Sequence, residues 1–127
     1  MLYEIESTKT IDQVCQDLEK AVVEQKFGVM TVHDLKETMK KKGVEFEKEC
    51  RIFEVCNPHQ AKRVLEKNME LSTALPCRIS VYVDKGKVKL ATLRPTALIS
   101  QFNAPELQPV AKEVEETLIQ IMKKASV

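Results

Sequence analysis

The sequence predicts an α+β fold in which one mostly antiparallel sheet is packed by two main helices. Short segments with alternating or β-branched residues recur along the chain and indicate strands. Amphipathic segments with recognisable start signals separate them and indicate helices. The last two strands are joined directly by a tight turn, which favours antiparallel pairing. We expect residues 1–127 to form a single domain, because the length is ordinary for one domain and no linker or repeat interrupts it.

The first strand and the first helix are predicted from local patterns. Residues Leu2 to Glu6 alternate apolar and polar side chains, which indicates a strand. Thr10 and Gln13 have the spacing of a capping box and predict a helix start. The following apolar residues recur at helical spacing, so this helix is expected to cover the sheet.

The second strand and second helix follow the same logic. Residues Phe27 to His33 are rich in β-favouring residues. Asp34 and Glu37 form another capping box, and Lys40 to Gly43 gives a suitable end, because cations and a left-handed glycine both favour helix C-termini. The lysine run also allows an anion-binding patch, although the helix-end interpretation is the simpler one.

The middle of the chain predicts a third strand and helix. Residues Glu45 to Cys56 resemble one long strand. Asn57 is a preferred N-cap, Pro58 fits the first helical position and Gln60 completes the box.

The second half predicts a hairpin and a long final helix. Residues Arg78 to Asp84 and Lys87 to Leu93 are two strands, joined by a turn that ends in glycine. Thr96 to Phe102 fits a short helix. The final helix is expected to start near Leu107, because Pro109 is tolerated only in a first turn.

Composition excludes several classes of protein. Lys and Arg total 20 against 19 Asp and Glu, so no basic excess indicates nucleic-acid binding. No apolar run approaches the roughly 20 residues that span a bilayer. The N-terminus lacks the pattern of a signal peptide. We therefore expect a cytoplasmic protein without a membrane or nucleic-acid partner, whose four cysteines stay reduced.

Three segments in order resemble a known family. They are Ile52 to Pro58, then Leu75 to Val83, then Gly86 to Pro95. This set resembles the domain-of-unknown-function 302 family. The resemblance implies a compact α+β domain of TATA-binding-protein-like architecture that forms homodimers, and it implies no activity. Many members of the family carry other residues at the positions of Cys56 and Cys77, so the chain resembles a cysteine-bearing variant.

Cys56 is the main candidate for chemistry. It ends a predicted strand and precedes the helix start at Asn57, where free N–H groups and the helix dipole lower a thiol pKa. His59 lies in the first turn of that helix, within reach of the thiol, and we count Asn57 and His59 with the cysteines as candidate ligand-binding residues. Cys77 opens the next strand and is a candidate resolving thiol. Antiparallel strands would bring Cys56 and Cys77 to one edge, parallel strands would separate them, and a dimer could join them across an interface.

Other residues are weaker candidates for a functional role. Cys56 and His59 make only half of a zinc-binding pattern, so no metal and no cofactor are expected. His33 precedes Asp34, but Asp34 is better explained as an N-cap, which leaves His33 without an orienting partner. Arg94 to Thr96 could bind an anion or simply turn the chain. Cys15 and Cys50 are interpreted as packing residues.

These residues favour a homodimeric binding module with a reactive thiol. The thiol would handle sulfur, a redox partner protein or a small ligand. The alternative is a structural or protein-interaction domain in which the cysteines are buried and inert. No nucleophile, base and acid stand together in the sequence, so an enzyme is the least favoured interpretation.

Overall fold

The computed structural model describes residues 1–127 and contains one sheet and five α-helices. The strands are β1 (Leu2–Ser7), β2 (Gly28–Asp34), β3 (Cys50–Cys56), β4 (Cys77–Asp84) and β5 (Lys87–Leu93). The helices are α1 (Ile11–Glu24), α2 (Leu35–Lys41), α3 (Pro58–Lys67), α4 (Pro95–Ile99) and α5 (Gln108–Ser126). Two short 3₁₀ segments, Met69–Ala74 and Pro105–Leu107, precede β4 and α5.

The five strands are arranged in the order β1-β5-β4-β3-β2, and every neighbouring pair is antiparallel. This confirms the predicted α+β class and its antiparallel sheet. The hairpin between β4 and β5 turns at Lys85 and Gly86, whose φ angles are 52° and 79°. Two successive positive φ angles are typical of a two-residue turn that matches the twist of the strands.

The helix starts that the sequence predicts are present. Thr10 Oγ1 accepts a hydrogen bond from the Gln13 backbone N–H, and Asp34 Oδ1 accepts one from Glu37. Asn57 Oδ1 accepts from the backbone N–H groups of both His59 and Gln60. Such caps satisfy backbone donors that the helix itself leaves free.

The main apolar cluster lies between the sheet and the helix pair α1 and α5. Its fully buried members include Leu18 from α1, Phe53 from β3, Leu90 from β5 and Leu118 from α5. Burying each such side chain contributes about 1.5–3 kcal/mol. The first and last helices are therefore the main cover of the sheet, as the sequence predicts.

A smaller apolar cluster, here called the second cluster, lies beyond one end of the sheet. It joins α3, the first 3₁₀ segment, α4 and the start of α5. Its buried members are Val64, Leu71, Ile99, Ala104, Leu107, Val110 and Ala111. Val64 and Leu71 are the only buried residues of the arm that runs from α3 through the first 3₁₀ segment.

Two features of the sheet differ from the sequence-based expectation. The strand β3 begins at Cys50 and not at Glu45, because the polar residues before it make no ladder with β4 or β2. In β2, the pairing with β3 shifts between Val29 and Thr31, which leaves a bulge at Met30. No helix combines the length and hydropathy that a membrane crossing requires.

Candidate functional site

The antiparallel pairing of β3 and β4 brings two of the cysteines to one end of the sheet. Val55 stands opposite Cys77 in the ladder, so Cys56 and Cys77 lie within one residue of each other in register. This resolves the choice between the parallel and antiparallel arrangements in favour of proximity. We call this end of the strands, where β3 ends and β4 begins, the thiol end of the sheet.

An apolar cavity of about 110 Å³, here called the larger chamber, opens at the thiol end. Its walls come from the α3 arm, from β4 and β5, and from α4 and α5, and 11 of its 15 lining residues are hydrophobic. Leu71, Cys77, Ala111 and Val114 are among them. The chamber thus lies between the sheet and the second cluster.

A second cavity of about 40 Å³, here called the smaller chamber, adjoins the larger one. Cys56, Asn57 and Phe27 line it. Both chambers share Val64, Leu75, Cys77 and Val114 as lining residues. Cys77 therefore stands at the partition between the chambers, and Cys56 stands beside the smaller one.

The polar groups of the larger chamber are already satisfied within the protein. Thr92 is 4% exposed, and its hydroxyl donates a hydrogen bond of 2.6 Å to the carbonyl oxygen of Arg78. The guanidinium of Arg78 lies 3.3 Å from the carboxylate of Glu54. A buried hydroxyl without a partner would be costly, whereas this one is paired.

Both thiols have raised pKa values, contrary to the lowering that the sequence predicts for Cys56. Burial raises the pKa of the Cys56 thiol. Burial, and secondarily the nearby Cys56, raise the pKa of Cys77 to about 11. For Cys56 the cost of burying the charged thiolate therefore outweighs the favourable field of the helix start, whose first free N–H groups donate to the Asn57 side chain.

His59 does not join the thiols. It lies exposed on the first turn of α3, and its hydrogen bond in the structure is made by its backbone N–H to Asn57. Asn57 itself lines the smaller chamber and caps the helix. No three His, Cys, Asp or Glu side chains come together in a way that could hold a metal ion.

His33 has an orienting partner that sequence reasoning missed. Its Nε2 lies 2.8 Å from Oε1 of Glu54 on the neighbouring strand β3. The Glu54 carboxylate is only 15% exposed and is also held by Arg78 on β4. The three residues form a polar row across the face of the sheet that α1 and α5 leave open, and Arg78 at its end also lines the larger chamber.

Arg94 is the N-cap of α4 and Thr96 lies in its first turn, and the polar groups of both residues already pair with a carboxylate. Glu115 on α5 accepts hydrogen bonds from the backbone N–H and the hydroxyl of Thr96, and its carboxylate lies 3.4 Å from Arg94. This pairing ties α4 to α5. The remaining cysteines fit the packing interpretation, since Cys15 is buried in the main cluster and Cys50 lies on β3 with its sulfur 4.0 Å from the Ser80 hydroxyl.

The family model described as domain of unknown function DUF302 matches residues 3–125 of the chain. The chain belongs to the DUF302 family. No curated protein matches the chain. The crystal structure of an uncharacterized conserved DUF302 protein from Bacillus stearothermophilus is similar, with a TM-score of 0.93 and 30% sequence identity. That alignment covers 98% of this chain and 97% of the other, so the two DUF302 proteins share the fold along almost their whole length.

The cavity is the part of this DUF302 site that sequence reasoning did not find. Its walls combine residues from segments far apart in the chain, such as Leu71, Thr92 and Val114. Each of these reads as an ordinary packing residue in its own helix or strand. The only sequence signal for the location was the pair Cys56 and Cys77.

Proposed function

We propose that this DUF302 protein is a small-molecule binding module whose site is the larger chamber at the thiol end of the sheet. The observation that carries the proposal is an apolar cavity, lined by 11 hydrophobic residues, next to two thiols. Ligand sites are typically concave, mostly apolar and few per protein. The alternative, a structural or protein-interaction domain, gives the cavity no role.

The position of the larger chamber supports a binding role. Interiors of folded proteins are close-packed and have few voids larger than a water molecule. The buried residues of the main cluster line only the smaller chamber, through Phe27 and Val55, and none of them lines the larger one. The chamber lies instead where the α3 arm crosses the end of the sheet, a region held by only two buried side chains of the arm.

Xenon tests whether the larger chamber is an accessible site. Under xenon pressure, we expect saturable shifts of the methyl resonances of Val110, Ala111 and Val114, because an apolar atom fills an empty apolar void. The variant Ala111→Leu places a larger side chain in the chamber and should abolish these shifts. Ala21→Leu, on the α1 side of the main cluster, is the matched control and should retain them.

The opposite result would favour the alternative. Absence of shifts at the chamber, or equal shifts throughout the protein, would show that the void is closed or nonspecific. The domain would then be a packed scaffold, and the search would turn to partner proteins.

In this proposal, the two thiols are neutral contact groups of the site. A raised pKa keeps a thiol protonated at neutral pH, and the thiolate is the nucleophilic form. We place the protein in the reducing cytoplasm, where its four cysteines remain free. Cys56 is the less buried member of the pair and is the one that a sulfur or redox partner would meet.

The rate of alkylation by iodoacetamide measures the reactivity of each thiol directly. We expect Cys56 to react more slowly than a free thiol at neutral pH, and Cys77 more slowly again, because it is the more buried. Intact-mass and peptide spectra give the site and rate at each pH. Faster labelling of Cys56 than of a free thiol would instead support a reactive thiolate.

We also propose that the chain forms a homodimer, as the family resemblance implies. Exposed apolar side chains lie together at the thiol end, where Leu2 stands opposite Leu93 in the β1 and β5 ladder and Met1 precedes them. Light scattering should give twice the mass of the chain, and Leu93→Lys should reduce it to the monomer mass. A monomer mass for the unaltered chain at micromolar concentration would remove this part of the proposal.

A further inference from the structure

We infer that the ligand of the larger chamber is a neutral, apolar molecule about the size of one six-membered ring. The inference rests on the proposed function and adds the chemical class of the ligand. It follows from the size of the larger chamber, from the pairing of its two polar residues, Thr92 and Arg78, and from the sulfur at the partition between the chambers.

The size of the larger chamber limits the ligand. Its volume is about 110 Å³. Engineered apolar cavities of roughly 150 Å³ stay dry and bind benzene, so the enclosed part of this chamber has room for about one ring. The smaller chamber, about 40 Å³, leaves room beside Cys77 for one small substituent such as a methyl group.

The two polar residues that line the larger chamber, Thr92 and Arg78, are already paired within the protein. The Thr92 hydroxyl donates to the Arg78 carbonyl oxygen inside the protein. The Arg78 guanidinium is held by Glu54 on the open face of the sheet. A carboxylate or ammonium group in the chamber would lose its hydration and gain no partner, which is strongly unfavourable.

The Cys77 sulfur favours an aromatic ring over a saturated one. Cys77 lines both chambers and packs against the main cluster, so its sulfur is fixed at their partition. Sulfur atoms are polarisable and make favourable contacts with ring edges. Because burial raises the pKa of Cys77 to about 11, the group presented at neutral pH is the uncharged thiol.

Titrations with benzene and with benzoate test whether the larger chamber binds a ring and whether it prefers a neutral ring to a charged one. The readout is the shift of the methyl resonances of Val64, Val110 and Val114, which line the larger chamber. We expect saturable shifts with benzene and at least tenfold weaker binding of benzoate, which has the same ring with a charge. Toluene should bind at least as well as benzene, because the smaller chamber accepts its methyl group.

Filled-chamber variants provide the control for specificity. Ala111→Leu should weaken benzene binding at least tenfold, and Val64→Phe, which fills the chamber from the α3 arm, is a second variant if the first does not fold. Circular dichroism checks the fold of each. Unchanged benzene binding in a folded variant would overturn the assignment of the ring to this chamber.

The outcomes distinguish this inference from the proposed function. Benzoate binding as tightly as benzene would overturn the neutral class and leave the site in place. Entry of xenon without binding of benzene would overturn the ring-sized class. Failure of xenon and both ring compounds to shift these methyl groups would overturn the proposed function, and this inference with it.

Discussion

The protein contains two apolar clusters that differ in how completely they are filled. The main cluster packs α1 and α5 on the sheet, and its buried residues meet only the smaller chamber, through Phe27 and Val55. The second cluster borders the larger chamber and is joined to the α3 arm through Val64 and Leu71. The difference separates the part of the molecule that carries stability from the part that has room for a ligand.

The largest expected effect compares one substitution in each cluster. Leu118 and Leu71 are both 0% exposed, but only Leu71 lines the larger chamber. We expect Leu118→Ala to reduce the free energy of unfolding by about 2–5 kcal/mol. Leu71→Ala should cost at least about 1 kcal/mol less, because a side chain facing a void has fewer dispersion contacts to lose.

Urea unfolding of both variants gives the comparison directly. Equal losses would mean that the second cluster is packed as tightly as the main one. In that case the chamber would be a minor packing defect, and the contrast between the clusters would disappear.

The next effect concerns Cys77, which packs against the main cluster and also lines the chambers. Its pKa is raised to about 11 by burial, whereas an unfolded thiol titrates near 8.5. Between these pH values the unfolded chain releases a proton that the native protein keeps. The free energy of unfolding should therefore fall, by about 3 kcal/mol in total, as the pH rises through this window.

Below the unfolded pKa, Cys77 should contribute no pH dependence. The variant Cys77→Ala should lose this part of the alkaline slope, whereas Cys56→Ala, at the less buried thiol, should keep it. Urea midpoints measured from pH 8 to pH 11 test the difference. The same slope in Cys77→Ala as in the unaltered protein would show that the thiol is solvated through the chamber.

The smallest effect uses two alanines in matched positions. Ala21 lies in the main cluster and Ala111 lines the larger chamber. We expect Ala21→Leu to destabilise the protein by about 1–3 kcal/mol through overpacking. Ala111→Leu should change the free energy of unfolding by less than about 1 kcal/mol, because the added atoms enter an existing void. Thermal unfolding of the two variants measures both changes in stability. A large loss of stability in Ala111→Leu would mean that the chamber has no room for the larger side chain.

Local signals in the sequence predicted most of the fold. The caps at Thr10, Asp34 and Asn57 are formed because the acceptor and the free N–H lie within three residues of each other. The turn at Lys85 and Gly86 is equally local. These elements fix where helices and strands begin, and the apolar stripes of α1 and α5 then indicate which faces meet the sheet.

The features that sequence reasoning missed are set by pairing between distant segments. Glu54 meets His33 because the register of β2 against β3 is fixed after the bulge, and no spacing along the chain shows that register. The start of β3 at Cys50 depends on where its partner strands end. The chamber depends on the α3 arm passing over the end of the sheet, which no single segment encodes.

The bulge at Met30 has a consequence for the behaviour of the chain at high concentration. The strand β2 is an edge of the sheet, and its side chains Met30 and Val32 are 64% and 39% exposed. A regular apolar edge is a template on which a strand from another molecule can add, the first step of aggregation. Because the bulge interrupts the even spacing of the ladder and increases the twist of the strand, it makes this edge a poor template and protects the protein from edge-to-edge polymerisation.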